Sequence, residues 1–400
     1  MEGLQVNTWR RVLLVAIVGI LAVLVFVPPE ADGQDSIQVL VDEFTVNYPF
    51  SVRFTLSAES AAEQITEVRL VWRAASDDPF SVNRVNIRPG QTVDVEFPLN
   101  VRFLSLPPFA QITYQWRIQD SGGSELVTER QTFEYEDTRN SWLELENERV
   151  RLLYYDLDEA FAAELFGIAD EAYQRLAADF GVELDDRPIV IVYPDQAAFT
   201  EFQSLLNNLE YVVGRYFPGH NITVNLVTPN MERDVYETTI AHELSHLYSD
   251  SFYVGYGQLP LWLEEGLATF NEGGAGQVEL QRVQRAAARG DLIPFVTLPA
   301  AIRAPDIRTA SLAYAEGATI FRFIQQTWGQ SAIADFLGAF RRTTNVGDVT
   351  RQLFDLDIIG FELAWRDWLG YPVETVPQLM PTPTLQIFTF PTPTYSAPGG

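Results

Sequence analysis

Two histidines and a glutamate stand in the order His242-Glu243-x-x-His246, and Glu265 follows after a gap of eighteen residues. Residues four apart on a helix lie on one face about one turn apart, so both histidines can reach the same metal ion. A carboxylate from a second helix would complete a His2Glu zinc site that leaves one position for water. The spacing therefore predicts Zn²⁺ as the cofactor and a hydrolase as the class of protein.

Glu243 follows the first predicted ligand directly, at the rim of the site, where it can act as a general base. It would take a proton from a zinc-activated water and pass it to a leaving amine. The third histidine of the chain, His220, follows Pro-Gly in a predicted turn and is interpreted as a surface residue. Asp250 lies four residues after His246, where it could face the metal, and it is predicted to end the helix or to solvate its tip.

The segment 261–270, Leu-Trp-Leu-Glu-Glu-Gly-Leu-Ala-Thr-Phe, resembles the second zinc helix of the gluzincin metallopeptidases. It is most similar to the aminopeptidase N type and to the peptidase MA-like domains. In that clan the ligand is the Glu directly before Gly, which implies Glu265 and leaves Glu264 as its competitor. The metzincin pattern needs Gly at 249 and His or Asp at 252, where this chain has Ser249 and Phe252.

A second resemblance lies at 311–318, Ser-Leu-Ala-Tyr-Ala-Glu-Gly-Ala, which is similar to the Tyr-x-Lys-Gly-Ala segment of aminopeptidase N-type enzymes. The resemblance implies that the Tyr314 hydroxyl donates to the developing oxyanion. Glu316 stands where that family has Lys. The family's segment that captures the free amine of the substrate is missing, which favours an endopeptidase over an aminopeptidase. The strand predicted at 221–227 could bind an extended substrate along its edge.

The composition limits the kinds of partner that the chain can bind. The formal net charge is −27 and the isoelectric point is near 4.4, so no basic stripe exists to neutralise phosphates and nucleic acid is excluded as a partner. Cysteine is absent, which excludes disulfides and thiolate ligands. A peptide or protein substrate remains the expected partner, and no oligomeric state is predicted.

The pattern along the chain predicts a multidomain protein. Residues 1–35 form a signal peptide or membrane anchor, because Arg10 and Arg11 precede an apolar run at 12–27 that acidic residues follow. This places the rest of the chain outside the cytoplasmic membrane, anchored or secreted. The expected parts that follow are an all-β immunoglobulin-like sandwich at 36–137, an α+β zincin-like metallopeptidase domain at 145–370 whose C-terminal half is mostly helical, and a Pro/Thr-rich disordered tail at 371–400.

Two other functions remain open from the residues alone. The chain could be an anchored surface-binding module in which the sandwich binds a partner and the zincin domain is structural or inactive. Its metal could also activate water for attack on a bond other than a peptide bond. The presence of Glu243 favours an active peptidase, because an inactive relative has no need of the general base.

Overall fold

The computed structural model describes residues 37–372, apart from residues 62, 76–77, 103, 105, 206–212, 253–258 and 274–276. Within these ranges the N-terminal part consists of strands and the C-terminal half of helices, which confirms the predicted order. None of the described helices is long and apolar enough to cross a membrane. The predicted targeting segment at 12–27 and the tail beyond 372 lie outside the described residues.

The N-terminal part contains two antiparallel sheets. Its strands are β1 (Ile37–Asn47), β2 (Ser51–Ser60), β3 (Ile65–Arg73), β4 (Ser81–Val85), β5 (Thr92–Asn100), β6 (Gln111–Asp120), β7 (Glu125–Val127) and β8 (Gln131–Glu134). One sheet has the order β1-β2-β5 and the other the order β4-β3-β6-β7, with β8 also paired to β6. Every pairing in them is antiparallel.

The two sheets face each other across one apolar core. Phe54 and Leu56 of β2 are buried in the same cluster as Tyr114 and Trp116 of β6, since alternate side chains of each strand point inward. In a constant-type immunoglobulin domain the fourth strand belongs to the sheet of the first strand. Here β4 pairs with β3 in the opposite sheet. The sandwich architecture therefore matches the expectation, while its immunoglobulin type stays a prediction.

A third sheet begins the predicted metallopeptidase region. Its strands are β9 (Leu143–Glu146), β10 (Arg151–Tyr154), β11 (Ile189–Tyr193), β12 (Gly214–Phe217) and β13 (Ile222–Leu226). Their order is β12-β13-β11-β10-β9, with β10, β11 and β13 parallel and the two outer strands antiparallel to their neighbours. Residues 221–227 were expected at an edge, and this expectation is wrong. β13 lies between β12 and β11, and all five of its residues are buried.

The helices are numbered in chain order. Strand β11 stands between the first and second helices, and β12 and β13 stand between the second and third. The helices are α1 (Glu159–Phe180), α2 (Gln196–Leu205), α3 (Arg233–Ser251), α4 (Leu261–Phe270), α5 (Gln277–Arg289), α6 (Leu298–Ala301), α7 (Ile307–Trp328), α8 (Ser331–Ala339), α9 (Val346–Phe354) and α10 (Ile358–Trp368). A short 3₁₀ turn, Phe295–Thr297, precedes α6.

Local signals set the ends of the long helices. The Asp158 carboxylate accepts from the Ala160 amide at the start of α1, and Gly181 ends that helix at φ 70°, a conformation that glycine adopts without strain. Asp306 caps α7 in the same way, accepting from the Thr309 amide at 3.1 Å. Apolar residues recur along α1 at helical spacing, so one face is buried against α3 and the sheet.

The third sheet is covered on both faces. Val190 and Val192 of β11 belong to the core formed with the helices, whereas Ile191 and Tyr193 belong to the core of the sandwich. This alternation follows from the period of two along a strand. The sheet therefore joins the two cores, while the predicted domain boundaries themselves stay predictions.

Candidate active site

The two histidines of the motif lie on one face of α3. Their ring centroids are 5.0 Å apart, and the His246 side chain is 3% exposed. The opposite face of the helix carries Ile240, Leu244 and Leu247, which are buried in the helical core. This apolar packing fixes the rotation of α3 about its axis, so that His242 and His246 point toward α4.

The third predicted ligand comes from α4, which starts directly after Pro260. Glu265 Oε2 lies 3.4 Å from His242 Nε2 and 3.8 Å from His246 Nε2. One donor atom from each of these three residues falls within 4.8 Å of the others. The structure therefore brings together the three residues that the sequence predicts as ligands.

Glu264, the competing carboxylate, lies on the other side of His246. Its Oε1 is 3.6 Å from Nδ1 of His246, the nitrogen that faces away from Glu265. It also accepts a hydrogen bond from the Tyr216 hydroxyl. This position suits a group that orients the imidazole rather than one that binds the metal, because metal-binding histidines commonly present their second nitrogen to a carboxylate.

Two residues of the site were not found by sequence reasoning. Glu272 Oε1 is hydrogen-bonded to His242 Nδ1 at 2.9 Å, and the only signal for it was an acidic residue just beyond the end of α4. Tyr216 stacks on the His246 ring with centroids 4.4 Å apart and an interplanar angle of 15°. Its strand, β12, was not predicted, so nothing in the sequence pointed to this contact.

The donor set and the charge of the site both fit Zn²⁺. Two imidazole nitrogens and one carboxylate are the ligands of catalytic zinc in His2Glu sites. Burial lowers the pKa of His242, but the carboxylates of Glu265, Glu272 and Glu243 outweigh burial, so that this pKa lies well above the ordinary value. The site therefore favours a positive charge, and a metal cation supplies one without a proton on His242.

Glu243 lies beside the histidines and against the edge strand. Its side chain is 7% exposed, and burial raises its pKa despite the two histidines. Gly214 of β12 makes room for it, because a Cβ built there would lie 2.6 Å from Glu243 Cγ. The backbone of β12 thus passes directly over the predicted general base, as only a glycine permits.

Tyr314 reaches the site from α7. Its hydroxyl lies near the Glu265 carboxylate, and burial together with that carboxylate raises its pKa. The approach of α7 to α4 depends on two glycines. A Cβ on Gly266 would lie 2.5 Å from the backbone of Gly317, so the helices cross in direct backbone contact. Tyr314 is therefore brought to the site, while its role as an oxyanion donor remains a prediction.

The remaining candidates lie apart from the three ligands. His220 stands in the turn between β12 and β13, and burial lowers its pKa. Asp250 Oδ2 accepts from the Gly219 amide at 3.2 Å and so ties the end of α3 to the same turn. Neither residue belongs to the group formed by His242, His246 and Glu265.

Comparison with known proteins defines the class. Residues 168–371, just over half of the chain, match the peptidase MA superfamily. The chain belongs to this superfamily, and its metal-site region is a gluzincin metallopeptidase domain of the peptidase MA type, as the resemblance implied. A search among curated proteins found no match.

Solved structures show distant similarity. An M1 zinc metallopeptidase from Deinococcus radiodurans is 16% identical, with 87% of this chain and 97% of that chain covered and a TM-score of 0.36. An aminopeptidase N family protein from Idiomarina loihiensis is 11% identical, with coverage of 82% and 74% and a TM-score of 0.38.

Proposed function

We propose that this chain is a zinc-dependent peptidase that hydrolyses peptide bonds, with Glu243 as its general base. The observation that carries the proposal is the convergence of His242, His246 and Glu265, whose donor atoms lie within 4.8 Å of one another beside the Glu243 carboxylate. Membership of the peptidase MA superfamily supports it.

Three residues supply the ligands of the proposed metal site, and two further carboxylates lie beside its histidines. His242, His246 and Glu265 would hold the ion, while Glu272 and Glu264 face the outer nitrogens of the two histidines. When bound, Zn²⁺ would polarise the scissile carbonyl and lower the pKa of a water molecule. The hydrogen bond between Glu272 and His242 Nδ1 at 2.9 Å favours the tautomer of His242 whose Nε2 lone pair faces the site. Glu264 lies 3.6 Å from His246 Nδ1, so its influence on that ring is electrostatic.

Glu243 would move the proton. Its buried carboxylate has a raised pKa, which brings the group closer to the range in which a base accepts a proton and returns it at neutral pH. It takes the proton from the attacking water and delivers it to the leaving amine. Tyr314 supports the same step, since its hydroxyl lies at Glu265 and can donate to the oxygen that gains negative charge.

The substrate would pair with β12. This strand is the outer strand of its sheet within the described residues, and its Gly214 lies against Glu243. An extended peptide that adds to this edge through main-chain hydrogen bonds has its backbone beside the general base. Such pairing requires no free N-terminus, so we propose endopeptidase action.

The location proposed for this activity is the outer side of the cytoplasmic membrane, with the chain anchored or secreted. Arg10 and Arg11 before the apolar run at 12–27, and acidic residues after it, support this orientation. Cell fractionation followed by protease accessibility in intact cells tests it. Protection of the whole chain inside intact cells would contradict the proposed location.

The proposed activity is tested with a library of peptides whose N-termini are acetylated. The wild type with Zn²⁺ is expected to cleave members of this library, and Glu243→Gln is expected to lose about 10²- to 10⁴-fold in turnover because the proton carrier is gone. Zinc content, measured by mass spectrometry of the metal, should be unchanged in the variant.

Glu237→Gln is the matched control, because Glu237 is an exposed glutamate on the same helix, paired with Arg233 at 3.2 Å. It should retain wild-type activity. Undiminished proteolysis by Glu243→Gln would refute the general base. Cleavage of peptides with free N-termini alone would replace endopeptidase by aminopeptidase action.

A further inference from the structure

One partly buried arginine next to the site has a guanidinium nitrogen without a hydrogen-bond partner among the described residues. Arg215 lies on β12, and its Nη1 atom is buried without a hydrogen-bond partner among the described residues. Two other arginines that are buried or partly buried pair with carboxylates. Arg139 contacts Asp137 at 2.7 Å, and Arg366 contacts Glu362 at 2.7 Å. Arg215 therefore differs from arginines whose role is to stabilise the fold.

A guanidinium nitrogen that is buried without a partner is costly, because burial removes water that no hydrogen bond replaces. The chain has 54 acidic residues against 27 basic ones, so carboxylates are abundant. Burial lowers the pKa of Arg215, and the charge of Glu243 opposes the shift without cancelling it. The missing partner is explained if a ligand supplies it.

The position of Arg215 on β12 indicates which ligand would supply the missing partner. It follows Gly214, the residue whose backbone passes over Glu243, so its Cα stands one residue from the contact with the proposed general base. Its guanidinium carbon lies 5.3 Å from the centre of the Phe217 ring, two residues along the same face of the strand. This contact holds the side chain along the edge where the proposed substrate pairs, and reduces the entropy lost when a ligand binds.

We propose that Arg215 is a specificity-determining residue that binds the carboxylate of an acidic side chain in the peptide substrate. In an antiparallel pair the residue opposite Arg215 projects to the same face as Arg215. The acidic residue therefore lies within two residues of the scissile bond. A planar guanidinium binds a carboxylate through two parallel hydrogen bonds, which an amide cannot reproduce. The inference rests on the proposed peptidase function.

The test uses capped peptides that the wild type cleaves, each made in versions with Glu or Gln at one position from two before to two after the scissile bond. At one position the Glu version should be cleaved with about 10- to 100-fold higher kcat/KM. Arg215→Gln should remove that preference while cleaving the Gln peptide as the wild type does. Arg215→Lys keeps the positive charge but lacks the planar guanidinium, so it should retain part of the preference for Glu.

Arg308→Gln, at an exposed arginine of α7, is the matched control and should keep the full preference. A second readout does not depend on turnover. Zinc-loaded Glu243→Gln should bind the Glu peptide more tightly than the Gln peptide in calorimetry, and the double variant with Arg215→Gln should bind both equally. If Arg215→Gln fails to fold, the proposal is still tested by comparing kcat/KM for the Glu and Gln peptides between the wild type and Arg215→Lys.

The outcomes separate the two proposals. Cleavage of Glu and Gln peptides with equal kcat/KM at every position would overturn the role of Arg215 and leave the peptidase function standing. A Glu preference that survives in Arg215→Gln would overturn it as well. Zinc-loaded wild type that cleaves no peptide would overturn the proposed function and this inference with it.

Discussion

Glu264 and Glu265 are neighbours of the same residue type, and only their direction separates them. Both stand at the start of α4, where successive residues point about 100° apart around the helix axis. Glu265 faces Nε2 of both histidines, whereas Glu264 faces Nδ1 of His246. The resemblance to gluzincins favoured Glu265, and the geometry agrees with that choice.

Substitution of the two glutamates should therefore have different results. Glu265→Gln is expected to lose zinc at micromolar concentrations of the ion, because the site loses its charged ligand. Glu264→Gln should keep zinc with an affinity weakened by about 10- to 100-fold, since only the orientation of His246 is affected. Zinc titration with a competing chelator measures both. Equal loss in the two variants would contradict the assignment.

Glu316 is a second carboxylate whose surroundings the sequence did not reveal. It is completely buried, its Oε1 accepts from the Ile293 amide at 2.9 Å, and its Oε2 has no partner among the described residues. Burial raises its pKa well above the ordinary value, although Arg366 lies near enough to oppose the shift. The neutral form is the one that the folded state favours.

Because folding raises the pKa of Glu316, the stability of the protein depends on pH. The ordinary pKa of glutamate, about 4.5, applies in the unfolded chain. Below this pH a carboxyl group whose pKa is raised by folding contributes its full stabilisation to the folded state. The contribution is lost as the pH rises from the unfolded pKa to the folded pKa. Glu316→Gln keeps the acceptor for Ile293 and cannot ionise. At pH 8 it should raise the free energy of unfolding by about 1 to 3 kcal/mol, with little change at pH 4.

Urea unfolding at pH 4, 6 and 8 measures the effect of Glu316→Gln. A difference between the variant and the wild type that stays constant with pH would contradict an ionising Glu316. A less stable variant at pH 8 would show that the charged form makes favourable contacts in the folded protein.

The crossing of α4 and α7 joins two motifs that stand about fifty residues apart in the chain. Gly266 follows the proposed ligand Glu265 directly, and Gly317 stands three residues after Tyr314. Because neither glycine has a side chain, the backbones touch and Tyr314 reaches Glu265. Both glycines were visible in the quoted motifs, yet only the packed helices show why they are needed.

Gly266→Ala should separate the helices and displace Glu265 from Tyr314. We expect a loss of about 1 to 3 kcal/mol in stability, as for other overpacked contacts, and a fall in peptidase activity. Gly167→Ala on α1 is the control, because a Cβ there meets no atom within 4 Å. That change should be neutral or stabilising by about 0.5 to 1 kcal/mol. Thermal unfolding and zinc affinity distinguish the two variants, and equal behaviour would refute the crossing as the cause.

The edge of the third sheet shows where pattern reasoning failed. Residues 221–227 were correctly predicted as a strand, since their β-branched residues and alternation favour one. The four residues of β12 carry too little pattern to be recognised. Because β12 pairs with β13, the edge of the sheet lies at β12, and Gly214 and Tyr216 of this strand contact Glu243 and His246 of α3.

Across the molecule, the sandwich and the metallopeptidase region meet in a shared aromatic contact. The ring of Trp142 packs 5.4 Å from Phe109, 4.7 Å from Tyr155 and 5.6 Å from Tyr193. Its indole nitrogen donates to the carbonyl of Asp137 at 2.9 Å. The boundary predicted between residues 137 and 145 therefore lies beside packed aromatic residues.

We therefore expect the wild type to unfold in one calorimetric transition that includes both parts. Trp142→Ala should lower the stability of both together, by less than the roughly 3 to 5 kcal/mol that such a truncation costs at a fully buried site. Scanning calorimetry with the described part of the chain tests this. Two separate transitions in the wild type would contradict a shared core.

The sequence alone determined the class of chemistry, because metal ligation depends on residue types whose spacing along a helix is fixed by 3.6 residues per turn. It also determined the order of strands before helices, which depends on local periodicity. It could not determine Glu272, Tyr216, Arg215 or the edge strand. Those contacts join residues that are distant in the chain, and their geometry exists only once the sheet has paired and the helices have packed.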